Sequence, residues 1–391
     1  MLLWLSSRAG LTSLASGSPL WKALPGSVNG RLAALLSDSA PLGPEAVGAA
    51  LDRDLQQRAA AFARGLEAYR RHPYRRAEPR VPVRWRQGTA RLLDYGGGRA
   101  SPAVLIVPSL INRYYVLDLL RERSFVRFLA GRGLRPLVLD WGEPGDLERG
   151  FTLSDYITGP LAEAATAVAA FAGGPVALVG YCMGGLLAIA LALRQPQDIA
   201  CLALLATPWD FHAERPEQAR LLATFVELYA SSVDEVAPLP VEAIQMLFMA
   251  LDPFLAERKF IRFAGLDMTS DAAKSFVALE DWINDGVPLV RDVALECARS
   301  WYRDNDPAHG EWRIASAPVR PEKLTAPALV VLPSRDKIVP PHSAAPLAAA
   351  IPGATVLRPP FGHIGMMAST QAPEAVWRPI AEWLRARLAV A

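Results

Sequence analysis

The sequence predicts an α/β fold, a mostly parallel sheet with helices on both faces, to which an amino-terminal helical extension and a helical insertion are added. Three observations predict it. Short, largely apolar runs at Ala103–Val107, Arg135–Asp140, Val176–Val179 and Ile199–Leu205 alternate with helical stretches, as expected of parallel strands covered on both faces. That alternation stops at Thr207, gives way to a helical, aromatic stretch, and resumes at Ala328. Finally, residues 176–188 read as a buried strand, a hard turn at Cys182 and a helix.

Composition sets the outer limits. A chain of 391 residues, 51% hydrophobic and 20% charged, can bury one large core or a core with an inserted subdomain. A net charge of +2 gives no argument for a nucleic-acid partner. The local basic run Arg70–Arg76 reads as a solvated helix exit. Cys182, Cys201 and Cys297 have neither disulfide nor metal spacing, which points to a reducing, cytoplasmic compartment and away from a metal site. Met1–Leu5 is apolar but short, without the charged start or cleavage site of a leader, and no run reaches the roughly 18 to 20 apolar residues of a membrane span.

Taken in order, residues 1–80 form the extension. Val47, Leu51, Leu55, Ala59, Phe62 and Leu66 recur at near-helical intervals behind Pro44, until Pro73, Pro79 and Pro82 break the pattern. Residues 81–206 and 325–391 form the core. It begins with a hairpin of Val83–Trp85 and Ala90–Leu93 joined across Gln87-Gly88, then a turn at Gly96–Gly98, which lacks the lysine of a phosphate loop. Helices near 125–130 and 162–171 separate the strands named above. The last strands are Ala328–Leu332 and Thr355–Leu357, and a helix from about Pro373 to Leu388 closes the chain. Residues 207–324, rich in Trp and Phe, are expected to cap the carboxyl edge of the sheet and to line a substrate entrance.

The turn at Cys182 carries the chemistry. Gly180 and Gly184 allow a helix to pass close to its strand, so the side chain between them projects above the sheet while the Met183 N–H faces the same point and can stabilise an oxyanion. A thiol nucleophile needs a base, and the base needs a carboxylate to hold its tautomer. His363, in a loop between Gly362 and Gly365 after the last strand, suits the base better than His72, His212, His309 or His342. Asp336 ends the segment 330–336, delivered by a strand to the same edge. Nucleophile, acid and histidine then follow in the chain order of an α/β-hydrolase. A second oxyanion donor is expected in the loop after Val107. Pro108 has no N–H, so it falls to Ser109, Leu110 or Ile111, of which Leu110 is chosen.

Several of these segments are not generic. Gly180–Gly185, the run Val107–Leu119 with its Asn112-Arg-Tyr-Tyr-Val-Leu-Asp118, Leu139–Pro144, Asp336–Pro340 and Gly362–Gly365 together resemble the polyhydroxyalkanoate synthases, from about Tyr69 to the end. The resemblance implies that Cys182, Asp336 and His363 transfer 3-hydroxyacyl groups from coenzyme A thioesters to a growing polyester, with no cofactor beyond the thioester substrate. It also implies a polyester granule surface nearby and leaves a partner subunit or a homodimer open, since the chain is shorter than the self-sufficient synthases. The alternative for the same three residues is hydrolysis, as a thioesterase or an intracellular polyester depolymerase.

Overall fold

The computed structural model describes residues 44–97, 101–234 and 236–389. The expectations for Met1–Leu5 and the rest of 1–43, and for Gly98, lie outside the described residues. By its internal contacts the chain divides into two compact units, Met1–Pro73 with Phe254–Lys274 and Tyr74–Pro253 with Ser275–Ala391.

In the smaller unit, helix α1 (Pro44–Arg71) packs on α7 (Leu255–Phe263), a helix from far along the chain. Phe62 and Tyr69 meet the Phe260 ring edge-on, with centroids 5.8 and 5.7 Å away. A Cβ at Gly65 would collide with the Phe260 carbonyl, so the glycine sets how closely the two helices approach. Arg58 Nε donates to Glu257 at 2.7 Å beside this contact. The stretch 207–324, read as one insertion, is thus shared between the two units.

In the larger unit, eight strands among the described residues form one sheet: β1 (Val83–Gln87), β2 (Ala90–Asp94), β3 (Ala103–Val107), β4 (Arg135–Asp140), β5 (Val176–Tyr181), β6 (Ile199–Leu205), β7 (Ala328–Val331) and β8 (Thr355–Leu357). Their order across the sheet is β1-β2-β4-β3-β5-β6-β7-β8, antiparallel at β1–β2 and β2–β4 and parallel elsewhere. The hairpin turn falls at Gly88-Thr89, one residue later than expected, because Gln87 pairs with Ala90 and Gly88 supplies the positive φ of 54°. Strand β5 runs two residues past Val179, since Gly180 and Tyr181 still pair with Leu204 and Leu205.

Alternate residues of each central strand enter different cores, which is why these strands are apolar throughout. Leu105, Leu137, Leu178, Leu202 and Val330 face one core, with α3 (Ala162–Ala172), α4 (Met183–Arg194) and α10 (Pro341–Ala350). Ile106, Val138, Val179, Ala203 and Val331 face the other, with α2 (Phe125–Gly131) and α11 (Arg378–Leu388). The closing helix runs from Pro373 to Leu388 as expected, with its first turn, Pro373–Trp377, wound wide before α11. Helix α4 is buried from Met183 to Ala192, consistent with its being apolar on every side.

Because β4 and β5 flank β3 on opposite sides, the crossovers diverge there and leave a crevice at the carboxyl ends of β3 and β5. Val107 pairs with Gly180, so the loop after β3 and the turn after β5 leave the sheet side by side.

Candidate active site

Cys182 occupies the turn between β5 and α4 at φ 55° and ψ −125°, a conformation a non-glycine residue adopts only under constraint. The constraint is visible on both sides of it. Its N–H donates to Leu205 O at 2.8 Å and its carbonyl accepts from Gly185 N at 2.9 Å. At Gly184 a Cβ would collide with the Val107 and Pro108 carbonyls, and at Gly180 with the backbone of Gly184 and Gly185. Only glycine at these positions lets α4 start this close to β3 and β5, and that closeness aims the thiol outward.

Asp336 lies in the loop after β7 and His363 in the loop after β8, both buried. His363 Nδ1 is 2.7 Å from Asp336 Oδ2. Asp336 Oδ1 accepts from the Ile338 and Val339 amides at 2.8 and 2.9 Å, so the carboxylate cannot swing away from the imidazole. The Cys182 side chain lies close enough to His363 to act on its charge. Burial works against a charged His363, but the Cys182 sulfur and the Asp336 carboxylate outweigh it and push its pKa up to about 10. The Tyr181 hydroxyl donates to the His363 carbonyl at 3.2 Å, with the two rings 5.1 Å apart. The thiol, imidazole and carboxylate thus meet in one place although they lie far apart in sequence.

The other histidines are engaged elsewhere: His72 with the Met268 carbonyl, His212 with that of Tyr302, His309 with that of Asp304, and His342 with Glu214. The other two thiols also differ from Cys182. Burial pushes Cys201 up to about 12 and holds Cys297 well above the ordinary thiol value, whereas Cys182 is partly exposed and lines a cavity.

That cavity measures about 480 Å³. Met183 and Ile111 border it beside Cys182, and Leu222, Val226, Phe248 and Trp301 wall it on the side of the helical stretch. These residues come from α5 (Pro216–Ser232), α6 (Val241–Leu251) and the wide helical turn Cys297–Arg303 that continues α9 (Arg291–Glu296) and turns both Trp301 and Tyr302 to the cavity. Arg215 and Lys337, both exposed, also line it.

Met183 opens α4, where the first N–H groups have no intrahelical acceptor. In the loop after β3, the Ile111 N–H is turned to Ser109 Oγ at 3.3 Å, which favours Ser109 or Leu110 as a second donor. The Leu110 side chain is buried in a smaller cleft with Trp141, Tyr156 and Leu289. Sequence reasoning passed over Tyr181, Tyr302 and Asp285. Tyr181 adjoins Cys182 and could have been found from that adjacency, whereas nothing local marks Tyr302.

An eight-stranded, mostly parallel sheet with a cysteine, an aspartate and a histidine after β5, β7 and β8 has the layout of the α/β-hydrolase class, and residues 102–369 match the family model for the alpha/beta hydrolase fold. Solved structures agree on the fold: a thermophilic esterase from Thermogutta terrifontis (TM-score 0.51, 22% identity, 80% of this chain and 99% of that one) and a monoacylglycerol lipase from Paleococcus ferrophilus (0.50, 18%, 76% and 99%). In sequence the chain is 29% identical over 299 residues to the poly(3-hydroxyalkanoate) polymerase subunit PhaC of Allochromatium vinosum, covering 75% of this chain and 83% of that protein. It is 30% identical over 297 residues to the subunit of the same name from Synechocystis, covering 73% and 78%. The chain belongs to the polyhydroxyalkanoate synthase-like family of α/β-hydrolase fold proteins.

Proposed function

We propose that this chain is an acyltransferase of the polyhydroxyalkanoate synthase type, moving 3-hydroxyacyl groups from coenzyme A thioesters through Cys182 to the hydroxyl end of a polyester. The observation that carries the reading is the relay from a strained, partly exposed Cys182 through His363 to Asp336 at the end of an apolar cavity. The names of the relatives supply the substrate class.

His363 takes the thiol proton of Cys182, and the imidazolium is stabilised between the sulfur and Asp336. The sulfur attacks the thioester carbonyl carbon, and the oxyanion is received by the Met183 amide and one from the loop after β3, for which Leu110 is our choice. As the carbonyl re-forms, coenzyme A leaves as its thiol, taking the proton from His363. A hydroxyl of the growing chain then attacks the Cys182 thioester, its proton passing to His363 and on to the departing Cys182 sulfur. One thioester is exchanged for another and then for an ester, and the reaction as drawn calls on no cofactor. Asp336 orients His363 throughout.

The parts of 207–324 that wall the cavity act in this reading as a cap that keeps water from the acyl-enzyme. The three unpaired thiols fit a reducing, cytoplasmic setting, and a polyester granule surface completes the proposal, which leaves open a partner subunit or a homodimer. Incubation of the purified chain with 3-hydroxybutyryl-CoA tests it. Insoluble polymer with release of coenzyme A is expected; stoichiometric free hydroxy acid would assign the chain to hydrolysis instead.

A further inference from the structure

The loop after β3 is held from three directions. Trp141 Nε1 donates to the Pro108 carbonyl at 3.1 Å, and Trp282 Nε1 to the Arg113 carbonyl at 2.8 Å. The third hold comes from the segment after helix α8 (Asp271–Asn284), which has no part in the catalytic relay. Asn112 and Gly286 form an antiparallel bridge, and the Val287 N–H donates to Ile111 O at 3.4 Å. Beside them Asp285 accepts from Arg113 Nε at 2.8 Å on one oxygen and from the Tyr115 hydroxyl at 2.8 Å on the other. Glu143 lies 3.5 Å from Arg113 Nη2.

We propose that Asp285 is a positioning residue for the oxyanion-binding loop, its carboxylate fixing the carboxyl end of residues 108–113 and so the direction of the amide beside Cys182. The inference rests on the acyl-transfer reading above. A carboxylate that accepts from two different residues with its two oxygens is held in one orientation, and it holds both of them in return. The Arg113 and Asp285 side chains are 29% and 46% exposed, so the pair contributes little to global stability and its consequence is local geometry. Local geometry is what an oxyanion site depends on, because the donor must stand about 2.7–3.1 Å from the developing charge.

The test compares two reactions of Cys182 in the full chain. Acylation by 3-hydroxybutyryl-CoA, followed as released coenzyme A, passes through an oxyanion; alkylation by iodoacetamide uses the same sulfur and forms none. Asp285→Ala is expected to slow acylation about 10- to 100-fold while alkylation stays within about twofold. Asp285→Asn, which keeps one oxygen to accept from Arg113 or Tyr115, is expected to recover part of the loss. Should Asp285→Ala fold poorly, Tyr115→Phe removes one of the two bonds and is expected to give a smaller loss with the same selectivity. Equal losses in both reactions, or none in either, would overturn the proposal. A wild-type chain that is alkylated yet releases no coenzyme A overturns the acyl-transfer reading, and this inference with it.

Discussion

His363 Nδ1 lies 2.7 Å from Asp336 Oδ2, while the second oxygen of Asp336 is tied to the Ile338 and Val339 amides. The carboxylate is therefore fixed by its own loop as well as by the imidazole, and it presents a single acceptor to a single ring nitrogen. The other ring nitrogen is left for Cys182.

Replacing that acceptor tests the relay. Asp336→Asn can keep the amide-bound oxygen but turns an NH2 toward Nδ1, which favours the tautomer with its proton facing Cys182. Acyl transfer is expected to fall about 10³- to 10⁴-fold in kcat with little change in the melting temperature. A loss under tenfold would remove Asp336 from the relay.

The charge of His363 depends on its partners. Burial lowers its pKa, and the Cys182 sulfur and Asp336 raise it to about 10, the sulfur by more. Removing the sulfur should therefore lower the midpoint. In Cys182→Ala the imidazole resonances of His363, followed by NMR, are expected to titrate clearly below about pH 10. An unchanged midpoint would mean that the thiol and the imidazole do not interact.

The elbow tolerates no side chain at Gly184, where a Cβ meets two backbone carbonyls that cannot rotate away. Gly184→Ala is expected to cost about 1–3 kcal/mol in urea denaturation and to lower acyl transfer, because the start of α4 must shift and carries the Met183 amide with it. Gly150→Ala, at a position where a Cβ meets nothing within 4 Å, serves as the control.

On β2, beside the edge strand β1, Asp94 is buried and accepts from Arg135 Nη2 at 2.7 Å and Arg84 Nε at 2.8 Å. Burial alone would raise its pKa, but the two guanidiniums outweigh it and hold the carboxyl below the usual range. A carboxyl lowered on folding adds stability that is present above its unfolded value and lost as pH falls through its folded one. Arg135→Met is expected to cost about 3 kcal/mol, near the low end for a broken buried pair because Arg84 remains. The midpoint of acid unfolding should rise with it, as measured by circular dichroism.

Much of the frame could be read from residues alone. Ala103–Val107 and Ile199–Leu205 form strands at the expected positions, because a strand buried on both faces is apolar without interruption, and Thr355–Leu357 forms the expected strand at the exposed edge of the sheet. The turn at Cys182 was legible because Gly180 and Gly184 permit a crossing that no other residues would. The contact of Asp285 with the loop after β3 could not be read in the sequence, since Arg113 and Asp285 are 172 residues apart. The wide turn at Cys297–Arg303 was also hidden, because a shift of the apolar pattern by one residue does not stand out within seven residues.

The sequence by itself determined the strands, their alternation with helices, and which residue would stand at the turn after β5. Each of these depends on side chains within a few positions of one another, where periodicity and backbone sterics act directly. Tertiary structure decided that Phe260 packs on the helix carrying Phe62 and Tyr69, that Asp285 reaches the loop after β3, and that Cys182 opens into a cavity walled by α5 and α6. Those pairings depend on shape and charge complementarity between surfaces that exist only once the separate elements have formed.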